Sequence, residues 1–355
     1  MKTPLIKLLI PIILLLSCGQ SSESNNTASS EKKSSSIKAD KSLPVQIPKS
    51  KVSSIAEIEW QSVAPIKIHH GNSRMTDYEK QNLSKKLENF TILNNGAISA
   101  EIGRGKYFSK DHGSNWHIPF FEDGRSLHDS LGNFRIYHTA DFFVAETVLN
   151  QFPSAHRGNN TYRHYISKNG FHWEEASKHN FVFDDYVKSH RGSLLYKAEN
   201  IETFKRVRSG RPNDFHAIVY NMKEMTATIF PYKDEEYKVP KHLEYNTWKH
   251  IYQLCNGEYL VTRPNVNYYE RGKSLNALKK IVYDDNTTGS TFSEFGQTVK
   301  TRRSQGLKIL SNNENSPSKF EVLIGGAISP NGQYMLMRRA EQLLANKNML
   351  RTICD

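Results

Sequence analysis

Ser109-Lys110-Asp111-His112-Gly113-Ser114-Asn115-Trp116 follows a strand-like run, Lys106-Tyr107-Phe108. Its residue types suit a hairpin. An Asp at a turn accepts hydrogen bonds from backbone N–H groups of that turn. A Gly there adopts backbone angles closed to other residues. A Trp packs its large face on neighbouring strands. The stretch reads as a staple of a β fold and not as a catalytic device.

A shorter version, Ser167-Lys168-Asn169-Gly170-Phe171-His172-Trp173, follows, with Trp173 57 residues after Trp116. A weaker third ends at Phe292, close to twice that interval further on, and one interval back from Trp116 lands near Trp60. Internal periods of this size are what blade repeats look like. Between them, short runs such as Phe90–Leu93, Ala97–Ile102, Phe134–Tyr137, Ala217–Tyr220 and Glu258–Thr262 alternate with Gly, Asn and Asp. Many short strands at regular spacing indicate an all-β sandwich, barrel or propeller. Asn95-Gly96, Asn256-Gly257 and Asn331-Gly332 predict two-residue type I′ turns with positive φ at both positions. Helical periodicity is confined to Thr76–Glu88 and Ala340–Leu350.

Ser109, Asp111, Gly113 and Trp116, with Ser167, Asn169, Gly170 and Trp173, resemble the Asp box of the sialidase-like, BNR-repeat β-propellers. The resemblance covers the organisation from about 86 to 355 and two segments in detail. It implies a β-propeller of four-stranded antiparallel blades, with a β-sandwich as the competing architecture. The first blade would use 90–93, 97–102, 106–109 and 117–121. Further blades would run over 122–180, 181–240 and 241–298. The last begins near Leu307 and is one strand short. Glu57–Val63, with Trp60, supplies that strand from the other end of the chain and pairs the exposed edges. This arithmetic gives five blades; the sialidase family implies six.

The N-terminus reads as an address. Lys2 and Lys7 precede an apolar run from Leu8 to Leu16, then Ser17 and Cys18. A basic start, a short apolar core and a small residue before the cut make an export signal. The run is too short to span a bilayer. Leu15-Leu16-Ser17-Cys18 resembles the lipobox of bacterial lipoproteins, which implies cleavage before Cys18, lipidation of its thiol and a membrane as the first partner. An ordinary secretory signal is the alternative. Gly19 is not the Asp of an inner-membrane retention signal, so the outer membrane is expected. Residues 1–17 are then signal, 18–50 a lipidated Cys with a Ser-, Asn- and Lys-rich tether, and 51–355 the folded domain.

The chain has 355 residues, 34 of them Phe or Tyr, only three Cys, and a formal charge of +12. The aromatic content excludes a wholly disordered chain. Three Cys build no disulfide scaffold, and none sits in a zinc-type pair. With Cys18 lipidated, Cys255 and Cys354 remain, either joined or as two separate buried thiols. The positive balance favours acidic partners, and an exported location argues against nucleic acid.

The sialidase resemblance implies an Arg cluster, a Tyr nucleophile with a Glu partner, and an Asp acid/base. The family's first Arg stands in an Arg-Ile-Pro pattern, which is absent here. Arg211-Pro212 and Arg263-Pro264 fall late, and Arg135-Ile136 is followed by Tyr137. No catalytic residue can be carried over. No nucleophile elbow, phosphate loop or His-Glu-x-x-His motif occurs, and His69, His70, His164, His172 and His190 share no metal-ligand spacing. The expectation is an exported, lipid-anchored propeller, monomeric and without metal or cofactor. It binds an acidic glycan or protein through Arg135, Arg163 and Arg263, which lie in or beside strand-like runs and could face a central channel. The alternatives are a sialidase-like glycoside hydrolase and a periplasmic immunity or inhibitor lipoprotein.

Overall fold

The computed structural model describes residues 50–52, 57–69, 84–103, 105–132, 134–148, 162–188, 194–208, 215–231, 250–262, 268–282, 293–294, 297–298, 306–310, 320–324 and 326–351. The chain is all-β with few helices. Strands β1 (Lys51–Val52), β2 (Trp60–Ser62) and β3 (Lys67–His69) come first. An antiparallel meander follows, built of β4 (Glu88–Ile92), β5 (Ile98–Ile102), β6 (Gly105–Ser109) and β7 (Asn115–His117). After β8 (Phe120–Phe121) and the short helix α1 (Leu127–Leu131) comes a second. Its strands are β9 (Phe134–His138), β10 (Phe143–Val148), β11 (Tyr162–Ser167) and β12 (His172–Glu175). Each meander carries one extra strand in parallel on its outer edge: β3 on β7, and β8 on β12.

The middle of the chain forms one eight-stranded sheet. It contains β13 (Tyr186–Lys188) and β14 (Leu195–Ala198), then, after helix α2 (Ile201–Arg208), β15 (Phe215–Asn221) and β16 (Thr226–Pro231). It continues through the meander β17 (His250–Gln253), β18 (Tyr259–Thr262), β19 (Tyr268–Gly272) and β20 (Lys279–Val282). Two hairpins follow, β21 (Ser293–Glu294) with β22 (Gln297–Thr298), and β23 (Gly306–Leu310) with β24 (Phe320–Ile324). The last sheet has β25 (Gly326–Ile328), β26 (Met335–Arg339) and β27 (Gln342–Asn346), and β2 is its fourth strand, antiparallel to β27. Finally β28 (Met349–Leu350) pairs with β1 in parallel. The strand expected from Glu57–Val63 therefore closes the last sheet at Trp60–Ser62.

The two boxes share one geometry. Each spans the hairpin from a third strand to a fourth. In the first, the Ser109 hydroxyl donates to Asp111 Oδ1 at 2.9 Å, Asp111 Oδ1 accepts from the Asn115 N–H at 2.8 Å, and the Trp116 indole donates to the Gly113 carbonyl at 2.7 Å. In the second, Ser167 donates to Asn169 Oδ1 at 3.1 Å, Asn169 accepts from the Phe171 N–H at 2.8 Å, and Trp173 donates to the Gly170 carbonyl at 2.9 Å. Gly113 and Gly170 have φ of +88° and +80°, and both indoles are buried.

Sheets share cores with their neighbours. Ile92, Ile98 and Trp116 of the first pack with Leu336, Leu343 and Ala345 of the last. Leu93 and Phe108 pack with Phe143, Ala145 and Trp173 of the second. In β10, Phe143, Val144 and Ala145 are all fully buried, so that strand is covered on both faces.

Four expectations need correction. The separate blades over 181–240 and 241–298 are one continuous sheet, because β15 pairs in parallel with β17, and β14 with β16. Residues 117–121 are not one strand: β7 ends at His117, and Phe120–Phe121 pairs with β12 of the second sheet. Ala340–Leu350 is two strands and no helix; tertiary pairing with β26 and β2 on both sides overrides its local pattern. The Asn-Gly turns are not of type I′. Only Gly96, Gly257 and Gly332 have positive φ, at +84°, +82° and +68°. The Asn95, Asn256 and Asn331 side chains each accept from the N–H two residues ahead at 3.0 Å. This is the longer loop in which a left-handed Gly follows a turn, fixed by the Asn carboxamide bonding forward along the chain.

Candidate functional site

In the second sheet, Arg135 of β9 stands opposite Glu146 of β10, and Glu146 opposite His164 of β11. Directly opposed residues point to one face of a sheet, so these three share it, with Tyr137 two residues along β9. The next sheet completes the group: Lys188 comes from β13, and Phe183 from the 3-10 turn Phe183–Asp185 before it.

Glu146 is the centre. Its side chain is 6% exposed. His164 Nε2 lies 3.1 Å from Oε2, and the Lys188 ammonium donates to both carboxylate oxygens at 3.1 Å. The Tyr137 hydroxyl is 3.5 Å from Oε1. Phe183 and Tyr137 wall the His164 ring and the Lys188 ammonium. The His164 ring stacks on Phe183 at 3.8 Å with 12° between planes. The Lys188 ammonium sits 4.1 Å from the Tyr137 ring centre and 4.9 Å from that of Phe183. A buried carboxylate is costly unless it is paired and hydrogen-bonded. Burial pushes the Glu146 carboxyl up, but the His164 hydrogen bond and the Lys188 charge outweigh it and hold the group below its ordinary value. Arg135 is exposed at the rim, within reach of Tyr137 and in the field of Glu146 and Tyr162.

Chemically this is a recess in which one fixed anion is met by a lysine and an imidazole, with an arginine at the rim. Glycoside hydrolysis needs a carboxylic acid to protonate the leaving oxygen and a second carboxylate beside it. Glu146 is held ionised and not protonated. None of the described residues forms a group of His, Cys, Asp and Glu suited to a metal ion.

The sequence-predicted arginines do not converge. Arg163 opposes Thr147, on the other face of the sheet from Arg135, and pairs with Glu175 at 3.5 Å. Arg263, Cys18 and Cys354 lie outside the described residues. Cys255 is disulfide-bonded and sits in the turn between β17 and β18. The eight box residues lie in the two hairpins described above. The sequence pattern does not single out Glu146 or Lys188, and it marks His164 only as lacking metal-ligand spacing. One signal for Glu146 is present: a single acid within the otherwise apolar Phe143-Val-Ala-Glu-Thr-Val148 run.

No protein-family model matches the chain, and no curated protein matches it. Among solved structures, virginiamycin B lyase from Staphylococcus aureus aligns at 7% identity and a TM-score of 0.27, over 82% of this chain and 98% of that one. The Penicillium chrysogenum α-L-arabinanase aligns at 13% and 0.27, over 82% and 85%. The Fusarium graminearum α-L-arabinofuranosidase Arb93A aligns at 10% and 0.26, over 82% and 88%. Scores at this level assign neither fold nor activity.

Proposed function

We propose that the chain is an exported, lipid-anchored β-propeller that binds an acidic ligand without catalysis. Export and anchoring rest on the Leu8–Leu16 run and the lipobox-like Leu15-Leu16-Ser17-Cys18. Among the described residues no helix is long and apolar enough to cross a membrane.

The ring is supported by a repeated docking. A methyl on Gly170 of the second sheet's box would meet Phe108, in the third strand of the first sheet. A methyl on Gly113 of the first sheet's box would meet Leu343, in the third strand of the last sheet, at 3.0 Å. The first sheet therefore docks on the last as the second docks on the first, which is the relation a closed ring requires.

The observation that carries the binding reading is the state of Glu146. The carboxylate is already neutralised by Lys188 and bonded to His164, so Arg135 beside it is left to face an incoming anion. The test uses the full chain in detergent with polygalacturonate as probe. Binding should weaken as salt rises, and Arg135→Gln should weaken it about two- to fivefold, while Arg163→Gln leaves it unchanged. Absent or salt-independent binding would refute the reading. So would turnover of an aryl glycoside that is lost in Glu146→Gln.

A further inference from the structure

The hairpin β26–β27 and the closing strand β2 enclose a cleft of about 550 Å³, lined by Trp60, Arg339, Ala340, Glu341, Gln342 and Leu344. It lies on a different sheet from Glu146. Strand register explains why these side chains meet. Trp60 opposes Asn346, Ser62 opposes Leu344, and Arg339 opposes Gln342. Residues 342, 344 and 346 alternate onto one face of β27, so Trp60, Leu344, Gln342 and Arg339 all project from that face. Ala340, at φ +51°, turns the hairpin and places Glu341 at its tip.

The polar groups here are unspent. Among the described residues, the Trp60 indole N–H, the Arg339 guanidinium and the Gln342 amide make no side-chain hydrogen bond or ion pair. Glu341 is already matched by the Lys85 ammonium at 2.8 Å. The cleft therefore offers an aromatic face, one uncompensated guanidinium, and two further groups able to bond hydroxyls. Its volume is in the range of small-molecule sites.

This set selects among ligands. A free phosphate would satisfy Arg339 but leave the indole face uncovered. A neutral sugar would cover the indole and leave the guanidinium without a counterion. A carboxylated pyranose does both: its C–H face lies on the ring, its carboxylate takes the fork of the guanidinium bidentately, and its hydroxyls reach Gln342 and the indole N–H. We propose that the Trp60 cleft is a binding subsite for a hexuronate-type acidic sugar unit.

The full chain in detergent is titrated with methyl glucuronide and methyl galacturonide, and with methyl glucoside as the neutral comparison, using saturation-transfer NMR. The uronides should bind at least about tenfold tighter than the glucoside, the size expected of one charge-assisted bond. The variants are read in an Arg135→Gln background, which disables the recess at Glu146; the uronide preference should persist there. In that background Arg339→Gln, a change to an exposed side chain, should bring the uronides down to the level of the glucoside. Trp60→Ala should abolish both, with Trp60→Phe restoring part. Equal binding of acidic and neutral sugars, no binding at all, or a uronide preference that survives Arg339→Gln in that background would overturn the proposal.

Discussion

Phe108 stands directly over Gly170: a methyl group on that glycine would run into the ring. The two residues belong to different sheets. Phe108 also meets Trp173 edge to face with ring centres 5.6 Å apart, so the glycine, the ring and the indole form one joint between sheets.

Gly170→Ala should therefore destabilise the fold more than Gly124→Ala. Both glycines have φ +80°, so the backbone cost is shared, but nothing lies within 4 Å of a methyl on Gly124. Overpacking adds about 1–3 kcal/mol. Urea unfolding of the two variants measures the difference. Equal losses would mean that Phe108 moves aside without cost.

The boxes predict their own tolerance. Asn169 holds in the second box the place that Asp111 holds in the first, with the same hydroxyl donor and an equivalent backbone donor. Oδ1 is the acceptor common to both boxes, while Asp111 Oδ2 also accepts from the Asn115 carboxamide, a bond with no counterpart at Asn169. Asp111→Asn keeps the shared acceptor, loses that one bond and should cost about 0.5–1.5 kcal/mol, whereas Asp111→Ala strands all those donors and should cost about 1–3 kcal/mol. Trp116→Ala should cost about 3–5 kcal/mol, since the indole is 0% exposed. Thermal melts rank the three. A Trp116→Ala variant that melts like the parent would refute the role given to the box.

The contact between the first sheet and the last has a polar component that can be isolated. Asn94 Oδ1 accepts from the Asn331 N–H at 2.9 Å, and the Asn331 carboxamide donates to the Asn94 carbonyl at 3.1 Å, across 237 residues of chain. Each side chain meets the other residue's backbone, so Asn94→Ala removes the first bond and leaves the second, and should cost about 0.5–1.5 kcal/mol in urea unfolding. Unchanged stability would show that the two ends are held by packing alone.

What the sequence reveals here follows the range of each interaction. The boxes and Asn-Gly turns are legible because every donor and acceptor lies within a few residues. Even so, one-residue differences in loop length decide which atoms bond, so the two-residue turn that Asn-Gly predicts is not the one that forms. The closing strand follows from counting strands. The recess at Glu146 does not, since His164 and Lys188 come from 18 and 42 residues away. Arg135 and Arg163 show the limit most clearly. Both look like strand arginines, but the face each takes depends on register, and a one-residue shift reverses it.

His138 should make stability fall with acid well before the carboxylates protonate. It ends β9, is buried, and has Nδ1 3.0 Å from the Thr139 carbonyl. Burial pushes its pKa down to about 4, against the pull of that hydrogen bond and with help from the Lys106 charge. In the unfolded chain a His titrates near 6.5. Between those values the unfolded state holds a proton that the folded state does not, so stability must drop as pH falls through this window. The loss should reach about 3 kcal/mol by about pH 4. Glu146 acts lower down: its folded pKa is depressed, so its contribution is lost only as pH falls below its ordinary carboxylate value. His138→Asn keeps a donor near the Thr139 carbonyl and cannot be charged. Unfolding free energies measured by urea from about pH 7 to about pH 4.5 should slope downward in the parent and lie nearly flat in the variant. The same slope in both would assign the acid sensitivity to another group.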